Sequence, residues 1–269
     1  MKIRAHTEAP SNYRNLEHMS VAEILFAMNA EDHKVAQAVA LVLEPIREFV
    51  EQLIPKVKNG GRLFYIGAGT SGRLGIIDAS ECPPTFGVSP DIVIGLMAGG
   101  DLAIRKAVEF AEDSETNAWK DLTKYFIGKE DCVVGIAASG TTPYVVYGLE
   151  ACQNHEITTA CICSNPDSPV TKFANYPIVV ELGPEFLTGS TRLKSGSAQK
   201  MILNMISTSL MIGLGRVKDH KMVDMQLSNQ KLLVRGTAMI QEALQISENE
   251  AQELLQKHGS VRAVLDREK

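Results

Sequence analysis

Five short apolar runs, separated by stretches with helical periodicity, dominate the middle of the chain. They cover residues 62–66, 92–97, 132–138, 159–163 and 177–181. Each run is almost continuously apolar, and helical patterns lie between the runs. Strands that are buried on both faces have this appearance, because alternation appears only where one face meets water. The pattern therefore predicts an α/β domain with a parallel sheet covered by helices on both sides.

Helical patterns also flank this core. Ser20 begins a capping box in front of a short helix, and an apolar stripe predicts a second helix over 32–58, which Pro45 kinks. The apolar stretch 193–215 predicts a long buried helix, and the chain is helical again from Asn229. We expect three parts: an N-terminal arm with helices (1–54), the α/β core (55–218) and a short helical C-terminal segment (219–269).

Composition narrows the class of protein. The 269 residues are 45% hydrophobic and 22% charged, as in ordinary globular proteins, and the net charge is −5. A negative net charge does not favour binding to nucleic acid, which is itself negatively charged. No apolar run approaches the ~18 residues that a membrane helix needs, and the first 15 residues lack the apolar block of a secretory signal. We therefore expect neither a nucleic-acid partner nor a membrane partner.

Cysteine and histidine usage indicates the compartment. The five cysteines are odd in number and form no C-x-x-C pair, and the six histidines form no H-x-x-x-H pair. Reduced cysteines packed as small hydrophobic side chains fit this pattern best. The sequence predicts a cytoplasmic protein with no metal site and no cofactor.

The first apolar run leads into a glycine-rich loop, Gly67-Ala-Gly69-Thr-Ser-Gly72. This fits the dinucleotide-binding pattern G-x-G-x-x-G. That pattern also needs an acidic residue about 20 positions later, at the end of the next strand, and none stands there. The hydroxyl groups of Thr70 and Ser71, followed by Gly72, instead suit a terminal phosphate.

A second polar loop follows the third apolar run. It reads Ser139-Gly140-Thr141-Thr142-Pro143, and Pro143 is a favourable first helical residue. Hydroxyl groups and free N–H groups at a helix N-terminus form an anion site. Two such loops predict a phosphate-bearing ligand at the carboxyl edge of the sheet. Two ordinary turns capped by Ser and Thr are the alternative.

A third polar segment, 188–197, precedes the long apolar helix. It contains Ser190 and two cations, Arg192 and Lys194, that can neutralise a phosphate or a carboxylate. A helix cap with two solvated cations is the equally simple alternative.

Two glutamates are candidates for proton transfer. Glu81 directly precedes Cys82-Pro83-Pro84, where proline disfavours helix upstream, so we expect Glu81 to be partly buried at a chain break. Glu112 lies where one helix ends and another begins. A pair of carboxyl groups with separated pKa values can run proton transfers without a metal.

These motifs together resemble one family. The segments GAGTSGRLGIIDASECPPTFG, AEDS, GIAASGTTPYV and TGSTRLKSGSAQK are similar to those of the bacterial N-acetylmuramic acid 6-phosphate etherases. The resemblance implies the sugar-isomerase (SIS) fold, a flavodoxin-like three-layer αβα sandwich, and kinship with the glucokinase regulatory protein. The long DASECPPTFG segment favours this family over an aldose–ketose isomerase of the same fold.

The resemblance also implies a reaction. The D-lactyl ether of N-acetylmuramic acid 6-phosphate is cleaved by elimination and hydration to N-acetylglucosamine 6-phosphate and D-lactate. Glu81 matches the proton donor to the departing lactate, and Glu112 matches the second acid/base residue, which removes the C2 proton. The hexose phosphate contacts the first loop at Ser71, the second from Ser139 to Thr142, and the third at Ser190. A homodimer is expected.

Two departures qualify the resemblance. Etherases commonly have arginine in place of Thr141, so phosphate binding lacks that cation here. The C-terminal segment lacks a helical hairpin that many members carry. A non-catalytic sugar-phosphate sensor, like the glucokinase regulatory protein, is therefore the alternative function.

Overall fold

The computed structural model of the chain describes residues 6–267, so residues 1–5 of the predicted arm and 268–269 of the predicted tail lie outside it. Its centre is a five-stranded sheet in which every neighbouring pair is parallel. The strand order is β2 (Val93–Met97), β1 (Leu63–Gly67), β3 (Cys132–Ile136), β4 (Thr158–Cys163) and β5 (Tyr176–Val179), which is the order of flavodoxin-like doubly wound proteins. The predicted α/β class and the parallel sheet are confirmed, with each strand within two residues of its predicted ends.

Fifteen strands and α-helices account for most of residues 6–267. In chain order they are α1 Val21–Ala40, α2 Leu43–Lys58, β1 Leu63–Gly67, α3 Gly69–Phe86, β2 Val93–Met97, α4 Gly100–Arg105, α5 Asn117–Thr123, β3 Cys132–Ile136, α6 Pro143–Asn154, β4 Thr158–Cys163, β5 Tyr176–Val179, α7 Lys194–Gly213, α8 Gln230–Leu244, α9 Glu248–His258 and α10 Val261–Arg267. No helix within this stretch is long and apolar enough to cross a bilayer.

The sheet is buried on both faces, which explains the continuous apolar runs. In β1, Leu63 and Tyr65 face the core shared with α1, α2, α3 and α7. Phe64 and Ile66 face the opposite core, which α5 and α6 cover. Successive side chains of a strand point to opposite faces, so both sets must be apolar when both faces are covered.

The N-terminal helices begin and end at other residues than predicted. The capping box at Ser20 is present, but α1 continues for 20 residues instead of ending early. The chain breaks at Leu41 and Val42, and α2 then begins at Leu43. Pro45 lies in the first turn of α2, where its missing N–H removes no hydrogen bond, so it does not kink the helix.

A buried carboxylate joins α3 to α7 within the first core. Asp78 is 5% exposed. Its Oδ1 accepts hydrogen bonds from Asn204 Nδ2 (2.7 Å) and Ser207 Oγ (3.1 Å), and its Oδ2 accepts one from Tyr65 Oη (3.0 Å). Burial raises the pKa of Asp78, and the three hydrogen bonds oppose that rise without cancelling it. The contact fixes the register between the two helices that carry the first and third polar loops.

The C-terminal helices form a small core of their own. Val223, Ile240, Leu255 and Val264 pack together from α8, α9, α10 and the segment before α8. Ser247 caps α9 with a capping box, and Gly259 ends the helix in a left-handed conformation. Arg262 Nε donates to Asp224 Oδ1 at 2.5 Å, which ties α10 to the segment that leads out of α7.

We expect Asp78→Asn to leave the free energy of unfolding at pH 7 nearly unchanged, since the amide removes a buried charge and keeps an acceptor for Asn204 and Ser207. The folded-state pKa of Asp78 is raised, so the folded state holds the proton more tightly than the unfolded state. Wild-type stability relative to the variant is therefore highest below the unfolded pKa of about 3.9 and falls as the pH rises through the higher folded pKa.

Urea unfolding between pH 3 and pH 8 measures this trend. Asp78→Ala is the matched comparison, because it leaves three donors without an acceptor at a cost of about 1–3 kcal/mol each. A wild-type advantage over Asp78→Asn that grows with pH would contradict the assigned direction.

Candidate functional site

The site lies where the sheet reverses its winding. Because β1 lies between β2 and β3, the loops after β1 and β3 leave the sheet in opposite directions and open a crevice, the place where open α/β sheets bind ligands. A cleft of about 410 Å³ occupies it. Six hydroxyl-bearing residues line the cleft: Thr70, Ser71, Ser139, Thr141, Thr142 and Thr191.

The first loop brings the start of α3 against the sheet. A Cβ atom at Gly72 would lie 2.6 Å from Cβ of Met97 and 2.8 Å from the carbonyl oxygen of Gly67, so only glycine fits there. Gly72 does not line the cleft. Gly72 allows α3 to pack closely against the sheet, and Thr70 and Ser71 beside it line the cleft.

Ser71 is held from behind by α7. Its Oγ donates to Oε1 of Gln199 at 2.9 Å, and Gln199 is 1% exposed. No partner within residues 6–267 contacts the side-chain amide nitrogen of Gln199. A buried amide thus fixes the position of the Ser71 hydroxyl in the first turn of α3.

The second loop forms the opposite wall. Gly140 has φ +70°, and a Cβ atom on it would lie 2.1 Å from Ser168 Oγ, so the turn admits only glycine. Ser139 Oγ accepts hydrogen bonds from the backbone N–H and the hydroxyl of Thr141, at 3.2 and 3.0 Å. Ser139, Thr141 and Thr142 all line the cleft, and α6 begins immediately after them with Pro143.

The third segment contributes different residues from those predicted. Gly189 and Thr191 line the cleft, whereas Ser190 and Arg192 do not, and Arg192 is exposed. The segment turns tightly here, because the N–H of Thr191 bonds to the carbonyl of Gly189 at 3.0 Å.

Lys194 shows the largest difference between the predicted site and the structure. It is 1% exposed, and its ammonium group donates to Oε2 of Glu31 (2.5 Å) and to the carbonyls of Pro184 (2.7 Å) and Leu182 (3.0 Å). An ammonium group has three donors, so its capacity is filled. Burial tends to raise the pKa of Glu31, but hydrogen bonds from Lys194 and Lys34 outweigh it and lower that pKa below its usual value. Lys194 is therefore a buried structural cation in this chain and does not line the cleft.

The N-terminus of α7 is occupied as well. The buried carboxylate of Glu185 accepts hydrogen bonds from the N–H groups of Lys194 and Ser195, at 3.0 and 2.9 Å. A carboxylate of the chain itself thus fills this anion-binding position. Among the α-helices in residues 6–267, α3 and α6 have first turns that line the cleft.

The cleft is acidic apart from these helix ends. Glu8, Glu112 and Asp113 line it, and no lysine or arginine does so within residues 6–267. Sequence reasoning missed Glu8, because nothing in the arm's composition shows that it folds back onto the sheet.

Glu112 stands at the rim of the cleft, in a helical turn over Ala111–Asp113. It also lines a side cavity of about 260 Å³ that adjoins the cleft. Arg73 steadies the preceding segment, because its Nε and Nη2 donate to the carbonyls of Ile104 and Ala103 at 2.8 and 2.7 Å. Glu112 therefore lines the same cleft as the first and second polar loops.

Glu81 is not in the cleft of its own chain. It lies 12 residues beyond Gly69 on α3, which corresponds to about 18 Å of helix. The expectation of a partly buried glutamate at a chain break is wrong, since Glu81 is exposed on a continuous helix. Pro83 and Pro84 are accommodated in the last turn, and the helix ends only at Gly87, with φ +62°.

The five-stranded parallel sheet and its flanking helices place the chain in the SIS-domain class. Three family models match: the glucokinase regulatory protein N-terminal SIS domain over 45–153, the SIS domain over 105–209, and the C-terminal lid domain of glucokinase regulatory protein over 219–265.

Curated relatives narrow the class further. N-acetylmuramic acid 6-phosphate etherases from Christiangramia forsetii and Bacteroides thetaiotaomicron are 59% and 57% identical to this chain. They align over 98% and 97% of it, and over 96% and 94% of their own lengths. The chain belongs to the N-acetylmuramic acid 6-phosphate etherase family.

Solved structures share the fold at low identity. An Escherichia coli CFT073 protein in complex with A5P is 16% identical with a TM-score of 0.53, covering 75% of this chain and 97% of its own. A phosphoheptose isomerase from Francisella tularensis is 15% identical with a TM-score of 0.53, covering 71% of this chain and 98% of its own.

We expect Lys194→Met to lower the free energy of unfolding by about 3–5 kcal/mol, because Glu31 keeps a buried charge without its main partner. The double variant Lys194→Met, Glu31→Gln should recover much of that loss. Guanidinium unfolding measures both effects, and Arg192→Met serves as the exposed control. A Lys194→Met protein of unchanged stability that no longer binds sugar phosphate would instead make Lys194 a ligand.

Proposed function

We propose that this protein cleaves the D-lactyl ether of N-acetylmuramic acid 6-phosphate by elimination and hydration, giving N-acetylglucosamine 6-phosphate and D-lactate. The observation that carries the proposal is Glu112 at the rim of a hydroxyl-rich cleft between two helix N-termini. Family membership supports the choice of substrate.

The phosphate binds between the first and second loops. Ser71, Ser139, Thr141 and Thr142 offer hydroxyl groups there, and the N-terminal turns of α3 and α6 offer N–H groups and positive dipole ends. Remote binding of this kind holds the reacting carbons in place, which is how it contributes to rate. With Thr141 in the loop instead of a cation, the anchor consists of dipoles and hydroxyl groups.

The chemistry needs two proton transfers at neighbouring carbons. In the open-chain form of the sugar, the aldehyde at C1 acidifies the C2 proton, which the carboxylate of Glu112 removes. The C3–O bond then breaks, and Glu81 donates the proton that the departing lactate oxygen takes up. Water adds at C3 of the unsaturated aldehyde, with a proton returning to C2. Each positioned acid or base contributes roughly 10²–10⁴-fold to such a reaction.

Glu81 reaches a cleft only if a second copy of the chain supplies it. The helix separation of about 18 Å excludes the cleft of its own chain. Ile77 is on the same face of α3, one turn earlier, and is 55% exposed. An exposed apolar residue beside a required acid supports a homodimer in which this face covers the partner's cleft.

The alternative of a non-catalytic sensor is not favoured. The sequence keeps both glutamates, and Glu112 stands at the cleft rather than in a cap or an ion pair. We place the enzyme in the cytoplasm, which the five buried cysteines support because none is disulfide-bonded.

The direct test is release of D-lactate from N-acetylmuramic acid 6-phosphate without added metal or cofactor. We expect wild type to be active and Glu112→Gln to lose at least about 10²-fold in kcat, because the amide cannot accept the C2 proton. Glu81→Gln should still exchange the C2 proton with deuterated water while releasing little lactate. Binding without lactate release in wild type would favour the sensor.

A mixing experiment tests the origin of Glu81. Glu81→Gln and Glu112→Gln should each be inactive alone. After subunit exchange, half of the dimers are mixed, and one of the two sites in each is intact, so about a quarter of wild-type activity should return. Glu81 acting within its own chain would leave the exchanged mixture inactive, with mass spectrometry showing that mixed dimers had formed.

A further inference from the structure

The N-terminal arm, residues 6–15, is fastened to the second loop by one buried amide. The N–H of Thr7 donates to Oδ1 of Asn165 at 3.1 Å, and Nδ2 of Asn165 donates back to Oγ1 of Thr7 at 2.9 Å. The same Nδ2 also donates to the carbonyl of Ser139 at 2.9 Å. Thr7 is 2% exposed, so this end of the arm is fixed against the wall of the cleft.

A second fastening holds the arm to the third segment. The N–H of Ser11 donates to Oγ1 of Thr188 at 2.9 Å, and Ser11 Oγ donates to the carbonyl of Phe186 at 2.6 Å. The rings of Tyr13 and Phe186 pack with centroids 5.0 Å apart. The arm therefore crosses the carboxyl edge of the sheet as a fixed strap.

Glu8 lies between these two fastenings and lines the cleft. Its Oε2 is 3.4 Å from the position that a Cβ atom on Gly189 would take, so the carboxylate rests against the third segment. The arm has one acidic side chain there, and its backbone on both sides is held by hydrogen bonds.

The carboxylate of Glu8 determines which part of a ligand can lie next to it. An ionised carboxylate only accepts hydrogen bonds, and a phosphate dianion has no proton to donate. The cleft has no lining cation within residues 6–267 to separate two anions. Sugar hydroxyl groups are donors, so the sugar end of a ligand can lie against Glu8 while the phosphate lies against α3 and α6.

We infer that Glu8 is a further substrate-binding residue, delivered by the N-terminal arm, which accepts a hydrogen bond from a hydroxyl group of the sugar. The inference rests on the proposed sugar-phosphate site and extends it to a residue outside the α/β core. Glu8 thereby sets the orientation of the substrate, with its phosphate directed away from the third segment.

Two probes with opposite expectations test this inference. Calorimetry on the full chain measures binding of N-acetylglucosamine 6-phosphate and, separately, of inorganic phosphate. We expect Glu8→Ala to weaken the sugar phosphate roughly ten- to a hundredfold, as for a lost hydrogen bond to a charged group. Inorganic phosphate should bind equally well or more tightly, because a nearby negative charge is gone. Glu8→Gln should give an intermediate loss, since its amide oxygen still accepts.

Glu17→Ala is the matched control, an exposed glutamate two residues beyond the arm that does not line the cleft. Equal weakening of both probes by Glu8→Ala, or no weakening of the sugar phosphate, would overturn the inference. A wild-type chain that binds neither probe would overturn the proposed function with it. A wild type that binds both probes and releases no lactate would overturn only the etherase, and the Glu8 result would still decide the inference.

Discussion

The position of β1 between β2 and β3 is the constraint on which the site depends. Parallel strands place all their following loops at one edge, but only at this reversal do two neighbouring loops diverge and leave a crevice. Each loop depends on a glycine that accepts no side chain: Gly72 packs α3 against Met97 of β2, and Gly140 turns the second loop beside Ser168. Two helix N-termini consequently meet at one cleft, and every hydroxyl that lines it comes from these loops or from the segment leading into α7.

The distribution of charge follows from how the third segment folds. Lys194 carries a charge that suits a phosphate, yet it is used inside the protein to neutralise Glu31 and to bind two carbonyl groups. Glu185 occupies the N-terminus of α7 in the same region. The third segment thus lines the cleft with Gly189 and Thr191 and supplies no positive charge to it. Recognition of an anion is left to dipoles and hydroxyl groups, which act at short range and require close fit.

The sequence predicted the sheet well because its signal is local. A strand buried on both faces must be apolar throughout, so five runs were visible without knowledge of their neighbours. Helix ends were harder: Pro45 lies in the first turn of α2, where its missing N–H removes no hydrogen bond, and α3 continues to Phe86 although Pro83 lies within it. The error at Pro83 carried over to Glu81, which appeared to stand at a chain break and is exposed on a continuous helix.

The site residues also divide into those that the local sequence predicts and those that depend on distant contacts. The two hydroxyl loops follow directly from strand–loop–helix order, so their meeting at one edge was predictable. The burial of Lys194 was not predictable, because its partner Glu31 stands 163 residues earlier in the chain. Glu8 was missed for the same reason, because the arm is held by a hydrogen bond from Thr7 to Asn165, which lies 158 residues later in the chain. Local pattern therefore identifies the groups that can bind an anion, whereas long-range contacts determine which of them reach the cleft and which are consumed by the fold.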